Sequence, residues 1–542
     1  MPDRKPFLAP LSHETFRNIW LASIVSNLGG LIQGVGAAWM MTSITTSENM
    51  VALVQASTTL PIMMFSLFAG AVADNFDRKA VMMVAQGFMF AVSALLAAAA
   101  YLGWITPWTL LAFTFLIGCG TALNNPAWQA SVGDMVPRED VSGAVSLNSM
   151  GFNLTRSVGP AIGGAIVAFG GAAAAFAANA ASYVALLSAL LFWKPERQAT
   201  ALPREAIGPA IAAGLRYVAM SPNLLKVFVR SFVFGLAAVA ILALLPVVAR
   251  DVLGGGPLTY GLLLGGFGVG AVAGAYFNTI LRERMTSENI VRCAFALFAL
   301  SEAAIGATGN IVLIGAATVL AGACWVVALS LFNTIVQLST PRWVVGRALS
   351  FYQMATFGGM AAGSWLWGSL AEGQGIATAL SVAAVVTAGG VVLGLALPMP
   401  VLASLDLDPL NTFREPELQL DILPRSGPIA IEVDYSILDR DLPEFLELMA
   451  ERRRIRIRDG AQAWALMRDL QNPQRWIETY HTPTWVDYVR HNTRRTKADA
   501  ENFERLRKLH RGTGLPNVHR MIERQVIPPK DDVFHQSQIE PP

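Results

Sequence analysis

The chain reads as an all-α polytopic membrane protein, a bundle of about twelve helices, followed by a small soluble α+β domain. Its composition, the length of its apolar stretches and a change of character near residue 400 predict this. Hydrophobic residues make up 54% and charged residues 14% of the 542, and the mean hydropathy is +0.46. So little polar surface cannot cover a water-soluble chain of this length. Beyond residue 400 acids, bases and aromatics mix as they do in a soluble domain.

A helix crosses a hydrocarbon core of ~30 Å with roughly 20 apolar residues. Dividing the apolar region at its loops gives spans near 18–43, 49–73, 80–102, 107–132, 142–168, 173–193, 224–249, 258–280, 287–308, 311–338, 348–371 and 375–398. The domains are then an N-terminal six-span half (1–193), a connecting stretch (194–223), a C-terminal six-span half (224–399), a linker (400–427), an α+β domain (428–528) and a tail (529–542). The first span is long and carries Asn27 and Gln33, so it reads as a retained helix and not as a cleaved export signal. Cys119, Cys293 and Cys324 all fall inside spans and form no close-spaced pair, so no metal, disulfide or cofactor is expected. No GxxxxGK[ST] loop is present to supply nucleotide binding.

Basic residues collect in alternate short loops: Arg4, Lys5 and Arg17; Arg78 and Lys79; Arg138; Lys194, Arg197, Arg204 and Arg216; Arg282 and Arg284; Arg342 and Arg347. Loops of the opposite set offer little beyond Arg250. Because basic loops stay on the cytoplasmic side, both termini and the soluble domain are expected there.

The two halves repeat. GAVAD from Gly70 answers GAVAG from Gly270, and PREDVSGAVSLNSM from Pro137 answers PRWVVGRALSFYQM from Pro341, an offset of 204 residues. The same register pairs Gly159 with Gly363 and Gly164 with Gly368, which makes the fifth and eleventh spans equivalent. Duplicated bundles of this kind commonly hold a binding site between their halves.

GAVADNFDRK, from Gly70 to Lys79, resembles the signature loop of the major facilitator superfamily. The resemblance implies a loop that latches one state of an alternating-access transporter, with Gly70 permitting close helix approach, Asp74 capping or pairing, and Arg78 and Lys79 bonding carbonyls at helix ends. Asp77 stands where the superfamily has glycine, a variant similar to the enterobactin-exporter-like, transmembrane secretion effector branch. GPAIGG in the fifth span, with Gly159, Pro160, Gly163 and Gly164, resembles the core of the antiporter motif that marks exporters, although Thr155 and Ser146 stand where that motif has further glycines. GCGTA from Gly118 resembles the fourth-span motif whose arginine is linked to proton coupling, but that position is Thr114 here.

Arg156, mid-way along the fifth span, is the deepest cation of the N-terminal half and the first functional candidate, because a charge in the bilayer needs a wet cavity or a partner. It either holds an anionic group of the substrate, provides a charge that changes between states, or bonds helix-end carbonyls structurally. Glu302 in the ninth span is the protonation candidate, with solvation near a helix end as the alternative. Arg230 and Arg292 are expected to snorkel. Asn27, Gln33, Asn125, Gln129, Asn333 and Gln337 sketch a pathway of amides along the first, fourth and tenth spans; the last four form two pairs with helical spacing. Gln86, Asn153 and their like read as helix-to-helix contacts.

The connecting stretch contains an amphipathic helix expected along the membrane surface. In the soluble domain, Ile429, Ile431, Val433 and Tyr435 alternate as in a strand, Pro443 opens a helix, two strands flank Asn472-Pro473, and a basic helix runs from Thr484 to His510 before a last strand from Asn517. This β-α-β-β-α-β order resembles the ferredoxin-like, antibiotic-biosynthesis-monooxygenase-like domains of dimeric α/β barrels, which implies self-association. Arg490, Arg494, Arg495 and Lys497 are expected to meet anionic lipid headgroups; nucleic acid is not expected. The resemblances together imply an ion-gradient-driven exporter in a bacterial inner membrane, proton-coupled, with a small amphipathic organic substrate. The alternative is a membrane-anchored enzyme or sensor whose activity lies in the soluble domain.

Overall fold

A computed structural model of the chain describes residues 8–523 apart from 138, 195–206, 401–406, 408–409, 411 and 513. Arg4, Lys5, Arg138, Arg197, Arg204 and the tail 529–542 therefore lie outside the described residues, as does the side chain of Asp74. The chain forms two compact units, one of Met1–Ala210, Asn223–Val336 and Leu349–Val401, the other of Ile211–Pro222, Gln337–Ala348 and Leu402–Pro542.

The first unit contains α1 (Glu14–Ile44), α2 (Glu48–Asn75), α3 (Arg78–Tyr101), α4 (Pro107–Ser131) and α5 (Val141–Phe192). After the connecting helix α6 (Ile207–Ala219) come α7 (Pro222–Val247), α8 (Pro257–Arg284), α9 (Ser287–Ala307), α10 (Ile311–Leu338), α11 (Val345–Gln374) and α12 (Ile376–Ala396). Ten of the described helices are long and apolar enough to cross a membrane. α5 counts once among them, yet Gly171, at φ 73° and ψ 176°, breaks it into limbs 141–170 and 172–192. That backbone is open in practice only to glycine. With α11, whose glycines, serines and Glu372 lower its hydropathy, the twelve expected segments are present. Helix starts are closed by side chains, for example Ser47 accepting from the Met50 amide and Thr106 forming a reciprocal capping box with Thr109.

Small residues set the packing. A Cβ added at Gly159 would stand 2.9 Å from Leu31 of α1, and one at Gly164 would stand 2.8 Å from the Pro257 carbonyl of α8. Their repeat equivalents do the same in the other half: a Cβ at Gly363 would lie 2.8 Å from Val239 of α7, and one at Gly368 2.6 Å from Ala52 of α2. The register read from sequence is thus a register of contacts. α5 lies against α1 and α8 as α11 lies against α7 and α2.

In the second unit, β1 (Ile429–Ser436), α13 (Leu442–Asp459), β2 (Gln462–Arg468), β3 (Arg475–Thr482), α14 (Trp485–Thr493), α15 (Lys497–Leu509) and β4 (Asn517–Ile522) build an antiparallel sheet of order β2-β3-β1-β4. This is the expected β-α-β-β-α-β arrangement, with one correction. The basic helix expected from Thr484 to His510 is two helices, because Thr496 exchanges hydrogen bonds with Asp499 and starts a new one. The connecting helix α6 packs part of its apolar face on protein, with Ala213, Tyr217 and Val218 buried and Leu215 exposed. Arg494 and Arg495 meet protein groups as well, the Trp343 ring and the Asn492 amide.

Ile429, Ile431, Val433 and Tyr435 all face the core of this domain. The same core encloses a fully buried carboxylate, Glu478, which accepts from Arg452 and Arg456 at 3.0 Å each, from Trp464 Nε1 at 3.1 Å and from Tyr435 at 3.2 Å. Arg456 also reaches His491 at 3.0 Å and lies over the Tyr480 ring, 4.3 Å from its centroid. Trp464 and His491 are thereby parts of one polar network in this core. Burial alone would raise the Glu478 carboxyl, but the two guanidinium groups more than offset it and hold the carboxyl far below the usual range. Burial, then Arg456, push His491 well below its usual value. In both cases the unfolded chain binds more protons than the folded one, so stability falls as pH falls, through His491 below about 6.5 and through Glu478 below about 4.3. Glu478→Gln leaves two buried arginines without a counter-charge and should destabilise the domain by about 3–5 kcal/mol. Tryptophan fluorescence of the full chain in detergent, titrated from neutral to acid pH, should show loss of the domain at a higher pH in the variant and a smaller step in the carboxylate range.

Candidate functional site

The loop after α2 ties helix ends together. Asp77 accepts from the Ala80 amide at 3.0 Å and so caps α3, which accounts for a carboxylate where a glycine was expected. Arg78 bonds the Ala130 carbonyl at 2.9 Å and Asp134 at 2.7 Å, at the end of α4. Lys79 donates to the carbonyls of Leu191 and Trp193 at 3.1 and 2.6 Å, where the second limb of α5 stops. Gly70 faces α11, where an added Cβ would stand 3.3 Å from the Ser350 hydroxyl. One turn earlier Ser66 donates to the Ser350 carbonyl at 3.3 Å, so α2 meets α11 here.

Arg156 sits where α5 crosses α8, its guanidinium over the Phe267 ring at 5.8 Å from the centroid. Gly268 makes the crossing close, since a Cβ there would lie 2.6 Å from the Ser157 Cα. Among the described residues Arg156 makes no ion pair and bonds no helix-end carbonyl; it is a half-buried cation at the contact of the two halves, with the Phe267 ring beside its guanidinium. Glu302 lies elsewhere, between α9 and α12. It is fully buried, Oε2 accepting from Thr387 at 2.6 Å and Oε1 lacking a partner, so the solvated alternative does not hold. Arg156 and Glu302 are not brought together.

The amides divide. Asn125 and Gln129 are exposed on one face of α4; Asn27 and Asn333 are half-buried and Gln337 exposed. Gln33 is buried and spoken for: its Oε1 accepts from Ser93 at 2.8 Å and from Asn179, while Asn179 also reaches Tyr183 at 3.3 Å. This network joins α1, α3 and the second limb of α5. Gln86 bonds Asn124 at 3.1 Å between α3 and α4, whereas Asn153 turns back to the Ser149 carbonyl of its own helix. Asn179 escaped sequence reasoning, although an amide in an alanine-rich span was a usable signal.

Two further clusters were missed. Arg230 and Arg292 do not snorkel: Arg230 is fully buried and both bond Glu288, at 2.5 and 2.7 Å. Glu288 also accepts from the Met399 amide at 2.8 Å, so three charges join α7, α9 and the end of α12. The Glu288–Arg292 spacing of four was the legible part of this cluster. At the other end of the bundle, Arg250 donates to the Thr42 carbonyl of α1 at 2.6 Å and pairs with Asp251 at 2.7 Å, and Ser47 donates to Glu372 of α11 at 2.9 Å. The halves therefore also touch there through polar groups.

The profile of the family described as transmembrane secretion effector matches residues 6–526. The chain belongs to this family, a branch of the major facilitator superfamily. The match runs through both halves and the soluble domain. Among curated relatives, the staphyloferrin A transporter of Staphylococcus aureus is 32% identical over 150 residues, which span 27% of this chain and 37% of that one. A macrolide efflux protein of Streptococcus pyogenes is 24% identical over 147 residues, 36% of its length. The chain thus spans little more than a third of the length of these first relatives. The multidrug efflux pump Tap of Mycolicibacterium fortuitum is 24% identical over 400 residues, 72% of this chain and 96% of the pump. Solved structures share the fold: a bacterial homologue of the human lysosomal transporter Spinster, inward-facing and unoccupied, aligns with a TM-score of 0.54 at 13% identity, covering 72% of this chain and 96% of that one. A POT family transporter aligns with a TM-score of 0.58 at 12% identity, covering 71% and 97%.

Proposed function

We propose that this secretion effector is a secondary active exporter of small amphipathic organic compounds, siderophore-like or drug-like, that works by alternating access in a bacterial inner membrane with both termini in the cytoplasm. The observation that carries the reading is Arg156, a cation at the α5–α8 crossing with no described carboxylate beside it. Such a group attracts an anionic or hydrogen-bonding part of a substrate, while Phe267 and its apolar surroundings suit the rest. Names borne by relatives, a siderophore transporter and two kinds of efflux pump, support the substrate class and direction. The family and the relatives favour this over an enzyme or sensor seated in the soluble domain. Glu302 is the coupling residue in this reading, because it is a carboxylate within a span whose described neighbours include a threonine hydroxyl but no cation. Protons are the coupling ion.

A further part of the reading is that two copies pair through the soluble domain. The sheet face turned away from the helices carries Met467 and Met521, 45% and 43% exposed, with Ile477 between the strands that bear them. The same face carries Glu432, Asp434, Thr479 and His481, so the pairing rests on the resemblance to dimeric α/β barrels and not on an apolar surface.

Losing a charged hydrogen bond costs about 1.5–3 kcal/mol, so Arg156→Gln should slow export roughly 10- to 150-fold. Comparing metabolites retained by cells making the native chain, the variant or neither tests direction and substrate together; equal retention in all three sinks the reading. Glu302→Gln should abolish acceleration by a proton gradient in vesicles while leaving substrate exchange intact. Light scattering in detergent should give the mass of two chains.

A further inference from the structure

The second unit includes more than the α+β domain. It incorporates Ile211–Pro222, most of α6 and the turn into α7, and Gln337–Ala348, the loop from α10 to α11. Each of these segments presents one aromatic ring to the other. Tyr217 and Trp343 meet edge to face, centroids 5.8 Å apart at 85°. Two arginines of the α+β domain grip the pair: Arg458 lies 5.7 Å from the Tyr217 ring and Arg494 4.1 Å from the Trp343 ring.

Those arginines belong firmly to their own domain. Arg458 pairs with Asp459 at 2.9 Å and with Asp499 at 2.8 Å, and Arg494 donates to the Asp459 carbonyl at 3.4 Å. Arg494 stands at the C-terminal cap of α14. In return, Arg216 of α6 donates to the Arg458 carbonyl at 3.4 Å, which places a cation at the C-terminal end of α13. Gly460, the left-handed cap of α13 at φ 119°, leaves space for it: a Cβ would stand 3.3 Å from the Arg216 guanidinium. Behind the rings, Val218, Val344 and Ala348 are buried.

The contact is specific but not fully satisfied. The Trp343 indole N–H is buried and has no hydrogen-bond partner. A buried donor without an acceptor weakens the docked state relative to one in which water reaches it.

We propose that the Tyr217–Trp343 pair is a releasable brake through which the α+β domain controls transport. Docked, Arg458 and Arg494 hold the connector between the halves against the α10–α11 loop. Alternating access requires loops that flank the moving helices to shift, and clamping two of them to one domain slows that shift. The brake rests on the transporter reading given above, but the clamp itself has a readout that does not depend on transport.

Amide hydrogen exchange of the full chain in detergent tests the clamp, and the export rate of the same variants in cells tests the brake. Trp343→Ala removes the gripped ring; Arg494→Ala removes the grip and leaves the loop intact. Both should speed exchange in 211–222 and 337–348 at least tenfold, leave β1 and β3 protected, and raise the export rate severalfold. Unchanged exchange in both variants overturns the clamp whatever the transport result. Faster exchange with an unchanged or lower export rate overturns the brake, and if the native chain exports nothing, exchange alone still decides the clamp.

Discussion

Close backbone approach at glycine is the constraint on which the membrane unit depends. Lipid tails are as apolar as leucine, so helices in a bilayer gain little by hiding apolar surface from one another and associate through dispersion contacts and hydrogen bonds. α5 obtains those contacts on two sides at once, with Gly159 against α1 and Gly164 against α8. The repeat gives α11 the matching pair of contacts. One helix of each half bridges to the other half by the same device, so the two seams are related by the repeat. Arg156 lies two turns before Gly164 on this seam, so the packing that joins the halves also positions the cation.

Charge is used in three ways. Near helix ends, arginines and lysines join elements: Arg78 to the end of α4, Lys79 to the end of α5, and Arg230 with Arg292 to Glu288. Within the bundle, Arg156 and Glu302 stand apart from any opposite charge in the described residues, and the proposed function rests on this imbalance. In the α+β domain the imbalance is resolved, since Glu478 satisfies two arginines, an indole and a phenol together. A core sealed by its own polar network holds its helices in fixed places, and α13 and α14 present Arg458 and Arg494 accordingly.

Much of this was legible in the chain. Composition and span length determined a polytopic bundle with a soluble domain, because the hydrophobic effect acts on totals and on stretches of about 20 residues. The repeat register was legible because the same backbone contact needs the same glycine in both halves, and strand alternation located the inward face of β1. What needed the tertiary structure was every pairing between elements distant in sequence. Arg230 meets Glu288, Gln33 meets Asn179, Arg250 meets the end of α1 and Trp343 meets Arg494 only because separate helices are brought together, and no local pattern encodes the partner of a side chain that reaches across a bundle.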